Sequence, residues 1–164
     1  MRGMELLNRI LPQRLDNEYS GKGLALWLFG FVVVMKSAQS LGIIVGGSSI
    51  AKDADGIPVD SYPPSIAQTV LAVLAQGSLW RLFFCVVCVF ALVRYRSAIP
   101  LMFGLLAANY LASEVTFRFV PLVRVGTPPG PSVNFVLFAL MLVGLVLSLW
   151  RRGEGGNEKG PRRV

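Results

Sequence analysis

Residues 24–46 read LALWLFGFVVVMKSAQSLGIIVG, and this stretch decides the fold class. At ~1.5 Å of rise per residue, a helix of that length clears the ~30 Å hydrocarbon core of a bilayer. One cation, Lys36, interrupts an otherwise uncharged run. Three more stretches of comparable character follow, at about 66–93, 98–117 and 133–150. The sequence therefore predicts an all-α integral membrane protein, an antiparallel four-helix transmembrane bundle. Composition points the same way: 54% of the 164 residues are hydrophobic and 15% charged, and mean hydropathy is +0.60. A soluble domain of this size exposes too much surface to be so apolar, and carries about 25% charged residues on average.

The segments between spans differ in kind. GGSSIAKDADGIPVDSYPPS (residues 46–65) is rich in glycine, serine, proline and aspartate, and reads as a solvated loop. RYRS (94–97) allows only a tight helical hairpin, whereas PLVRVGTPPGPS (121–132) is stiffened by four prolines and reads as an ordered turn. Three regions result: an N-terminal segment 1–23, a membrane domain 24–150, and a glycine-rich, basic, disordered tail 151–164. Within the first, Met4–Leu11 carries Leu6, Leu7, Ile10 and Leu11 on one side, and predicts a short helix on the membrane surface that Pro12 ends.

Counting Lys and Arg outside the spans gives eleven on the side of the termini and the second connection, against three on the other (Lys52, Arg118, Arg124). The positive-inside rule then places both termini in the cytoplasm, and the expected location is a bacterial-type inner (plasma) membrane. Trp27, Tyr95 and Trp150 fall at span ends, as interface anchors do. Residues 1–40 can also be read as a secretory signal ending at Ala38-Gln39-Ser40, but apolar character resumes at Leu41–Val45, so retention as a span is the expectation.

Several functions are excluded by what the chain lacks. It has no histidine, which removes bis-histidine haem, histidine-based general acid–base catalysis and Ser-His-Asp triads. Its two cysteines cannot by themselves ligate a structural metal, so no metal and no cofactor is expected. The net charge of +7 sits mostly beside the spans, where basic residues anchor topology and meet lipid phosphates rather than nucleic acid.

The informative residues are polar ones inside the spans. Lys36 and Arg81 lie near the middle of spans one and two, where a charge costs about 2.5–3.5 kcal/mol on insertion scales and is usually turned inward and paired. Gln39, Asn109 and Glu114 complete a candidate binding layer, with Ser37, Ser40, Gln76, Ser78 and Ser113 around it. Glu114 is expected to pair with Arg81 or Lys36, or with Arg118 four residues on. Two cations against one carboxylate leave one positive charge for a bound anion, a lipid phosphate, a partner's acidic residue, or loss of the Lys36 proton. Small residues repeat every fourth position at Ala38, Gly42, Gly46 and at Gly104, Ala108, Ala112, predicting closely packed faces within the bundle or across a dimer.

Cys85-Val86-Val87-Cys88 places two thiols on one helix face, and the string FCVVCVF (84–90) resembles the membrane-helix dithiol of the vitamin K epoxide reductase family. That likeness spans about seven residues and implies a small four-helix oxidoreductase. The family's second cysteine pair has no counterpart here, and apolar neighbours keep a thiol protonated and inert, so the pair is read as core packing. Asp53-Ala54-Asp55-Gly56 lacks the spaced ligands of a calcium loop, and Gly126–Gly130 lacks the Lys-Ser/Thr of a phosphate loop; both are turns.

The leading expectation is a non-enzymatic accessory or scaffold protein of the lipid bilayer, docking a second copy of itself or a membrane partner subunit. The alternative is a binder or transporter of a small anion or anionic lipid, using the Lys/Arg/Glu layer.

Overall fold

In the computed structural model, which describes Asn17, Tyr19 and residues 21–150, the chain is helical, with no strand among those residues. Helix α1 covers Gly23–Asp53, α2 Pro64–Arg94, α3 Ile99–Phe119 and α4 Pro129–Leu149, with short 3-10 turns at Val59–Ser61 and Arg96–Ala98. All four helices are long and apolar enough to cross a membrane. The expected surface helix at Met4–Leu11 and the tail 151–164 lie outside the described residues.

The proline-rich junctions set the helix starts. Pro64 and Pro129 sit in the first turns of α2 and α4, where a missing N–H breaks no helical bond, and Pro100 does the same in α3. Backbone bonds tie the ends together: Lys22 N–H donates to Leu147 O at 3.3 Å, and Gly130 N–H donates to Ala54 O at 2.9 Å. The start of α1 thus meets the end of α4, and the end of α1 meets the start of α4. The end of the molecule holding Lys22, Arg94 and Leu149 is called basal below, and the other the loop end.

The stretch 46–65 is more ordered than a solvated loop. Gly47 takes φ 44° and ψ −113°, a conformation open to glycine alone, so the chain bends there and resumes helix to Asp53. Beyond it Ala51, Ile57 and Val59 are buried in a second small core, against Tyr62 just before α2 and Val70 and Leu71 near its start. The apolar residues scattered among the aspartates and prolines are what close this cap.

The main core fills the basal half. Phe29 and Phe103 meet edge to face with ring centroids 5.0 Å apart, and Val32, Cys88, Ile99 and Met141 are buried around them. Gly144 presses directly on the Phe103 ring, and a methyl group there would overlap it. Helix α1 packs extensively on α2 and α4, and α4 on α3, but α2 and α3 barely touch although a short turn joins them. Going around the bundle, the contact is thus broken on one side, between α2 and α3.

Candidate functional site

The gap between α2 and α3 is the mouth of a cavity of about 410 Å3. Its walls come from Gly77, Trp80 and Arg81 on α2 and from Asn109, Tyr110 and Ser113 on α3, and its floor includes Lys36 of α1 and Asn134 of α4. Trp80, Arg81 and Asn109 are exposed at mid-helix positions, so the cavity opens through the flank of the bundle. Measured along the helices at ~1.5 Å per residue, Lys36, Arg81, Ser113 and Asn134 all lie about 20–23 Å from the basal ends. One polar level therefore crosses all four helices.

Within it, Lys36 donates from Nζ to Asn134 Oδ1 at 2.6 Å, a bond between α1 and α4. The Ser40 hydroxyl donates to Lys36 O one turn along, and Ser113 Oγ donates to Asn109 O, each at 2.9 Å. Arg81 makes no hydrogen bond or salt bridge among the described residues, and it lies within electrostatic range of Lys36 and of Asp55. Two cations thus share one cavity, and neither has a carboxylate in contact. Among the described residues the one salt bridge is Lys52–Asp60, at the exposed loop end.

Three of the five sequence-predicted binding residues come together here: Lys36, Arg81 and Asn109. Glu114 does not join them. It is exposed beside the Tyr110 hydroxyl one turn earlier on α3, which donates to it, and the expected pairing with Lys36, Arg81 or Arg118 is absent. The reason is angular: Glu114 follows Ser113, which lines the cavity, and one residue further along a helix turns the side chain about 100° away. Gln39 is also off the wall; its Oε1 is buried without a hydrogen-bond partner among the described residues. Asn134, the direct partner of Lys36, escaped the sequence reading, although a lone amide in the most apolar of the four spans was signal enough.

The small-residue stripes are not used inside the bundle. Ala38, Ala108 and Ala112 are exposed, a Cβ on Gly42 or Gly104 would meet nothing within 4 Å, and one on Gly46 would meet only Ile50 of its own helix. Close packing falls instead to Gly144 against Phe103. Cys85 and Cys88 are free and buried in the main core, and Cys85 also forms part of the cavity lining. No group of three or more His, Cys, Asp or Glu able to hold a metal occurs among the described residues.

At the loop end, Val125 N–H donates to Gly56 O at 2.8 Å, holding the α3–α4 connection on the turn after α1. Asp55 is half-buried there against Gly130, and burial raises its pKa above the ordinary carboxylate value, with Arg81 and Arg124 opposing the rise. No protein-family model, curated protein or solved structure matches this chain.

Proposed function

We propose that this is a non-enzymatic, four-span membrane protein whose antiparallel bundle binds an anion in the cleft between α2 and α3. The termini and basal end face the cytoplasm of a bacterial-type inner membrane, in keeping with the eleven-to-three distribution of Lys and Arg. The observation carrying the reading is the cavity that Lys36 and Arg81 share without a carboxylate in contact with either. Two desolvated cations side by side repel one another, and a bound anion relieves both the repulsion and the desolvation. The donor set suits an oxyanion: a guanidinium for two oxygens, an ammonium for a third, and amide N–H groups of Asn109 and Asn134 beside them.

The test is thermal unfolding of detergent-purified protein across phosphate, sulfate, chloride and anionic lipids. An anion at 100 times its dissociation constant stabilises the wild type by about 2.7 kcal/mol, and Lys36→Met and Arg81→Met lose the response. A flat wild-type panel would overturn the reading. A docking role for partner helices is the second reading, supported by the outward-facing stripes through Gly42 and Gly104.

A further inference from the structure

We infer that the anion is the phosphate of a phospholipid headgroup, which enters the cleft sideways from the bilayer with its acyl chains lying against the cleft's apolar walls. The inference rests on the anion reading above and adds the ligand's source and chemical class. Three observations support it.

The first is the direction of the opening. Because α2 and α3 scarcely touch, the cavity reaches the exterior through the flank of the bundle, at helix positions that face lipid rather than water. The second is the grading of the lining along the helices. The polar residues Lys36, Arg81, Ser113 and Asn134 lie about 20–23 Å from the basal ends and Asn109 about 15 Å, whereas the apolar Leu105, Leu106 and Met141 lie about 9–12 Å from them and Phe84 about 15 Å. A polar head over an apolar base is the polarity of a single lipid whose headgroup points to the loop end. A free inorganic anion has no use for the apolar part.

The third concerns the other route. The loop end above the polar level is roofed by the segment bonded through Val125 to Gly56 and through Gly130 to Ala54. Asp55 sits in that segment within electrostatic range of Arg81 and Arg124, and the exposed Asp60 is paired with Lys52. An anion arriving from water meets that bonded segment first; a lipid arriving along the membrane plane meets Trp80, Arg81 and Asn109. The amphipathic Trp80 and Tyr110 flank that entrance, as suits a boundary between headgroup and chain.

Native mass spectrometry of the detergent-purified full chain separates the possibilities. The ligands are phosphatidylglycerol, water-soluble glycerol phosphate, and dioleoylglycerol, which has chains but no phosphate. The expected result is one retained phosphatidylglycerol, bound at least tenfold tighter than glycerol phosphate, and no retained dioleoylglycerol. Gly77→Leu puts an apolar side chain on the cleft wall, at a position where a Cβ meets nothing within 4 Å. It is expected to weaken the lipid at least tenfold, while Lys36→Met loses both ligands. Glycerol phosphate binding as tightly as the lipid would overturn the lateral route and leave the anion reading standing. Retention of dioleoylglycerol equal to phosphatidylglycerol would overturn it as well, by showing that chains alone suffice. Binding of neither phosphate compound would overturn both readings.

Discussion

The basal and loop-end halves of this bundle are built from the same four helices and do opposite things with them. In the basal half, rings and small residues interlock: Phe29 meets Phe103 edge to face, and Phe103 lies on Gly144. In the other half α2 and α3 part, and the space between them is lined by two cations, two asparagines and a serine. Where no aqueous solvent surrounds the helices, hydrophobic burial gives little drive to association, and shape complementarity has to hold them together. The basal half supplies that complementarity, so the other half is free to keep a cavity. Stability and binding are divided along the helix axis.

Five variants sharpen or break this division, in decreasing order of effect on stability. Phe103→Ala removes the centre of the basal core and should cost about 3 kcal/mol, the lower end of the range for buried phenylalanine, because packing contributes more than transfer from water. Thermal or denaturant unfolding in detergent measures it. Gly144→Ala drives a methyl group into the same ring and should cost about 1–3 kcal/mol by overpacking. A neutral outcome in both would place the stabilising contacts elsewhere.

In the cleft the sign reverses. Lys36→Met replaces a costly cation by an apolar side chain of similar length, and leaves Asn134 Oδ1 without its donor. These effects offset, so ligand-free stability should be unchanged or higher by about 1–2 kcal/mol while the anion response disappears. A loss of several kcal/mol without ligand would make Lys36 a structural residue.

Asp55 gives a pH-dependent version of the comparison. Burial raises its pKa, so the folded chain holds the proton more tightly than the unfolded chain. Stability therefore rises as pH falls from the folded pKa toward the ordinary value of 3.8. Asp55→Asn should flatten that part of the stability–pH curve and raise stability at pH 7. A steeper acid limb in the variant would contradict the assignment. The smallest effect belongs to Lys52→Ala: its partner Asp60 and Lys52 itself are more than half exposed, at 67% and 58%, so solvent screens the pair and unfolding should be scarcely changed.

The sequence disclosed the helices more completely than the site. Four apolar runs are legible because a span must be long and uniformly apolar, and the structure gives a helix for each. Lys36, Arg81 and Asn109 stood out because polar atoms are rare in such runs. What composition could not supply was rotation: Glu114 and Ser113 are neighbours in sequence, yet Ser113 lines the cavity and Glu114 does not. The outward-facing Gly42 and Gly104 and the packed Gly144 show the same limit, since four-residue spacing identifies a face without saying what it meets. Gly47 marks another. A glycine pair amid polar residues reads as a helix end, but here one positive φ bends the helix and lets Ala51 and Ile57 build a second core.

The division of labour between the two halves is tested most directly by unfolding wild type and Lys36→Met side by side, each with and without saturating phosphatidylglycerol. Lys36→Met without lipid is expected to be at least as stable as wild type, and lipid to stabilise wild type alone. Equal stabilisation of both proteins, or a ligand-free variant markedly less stable than wild type, would contradict that division.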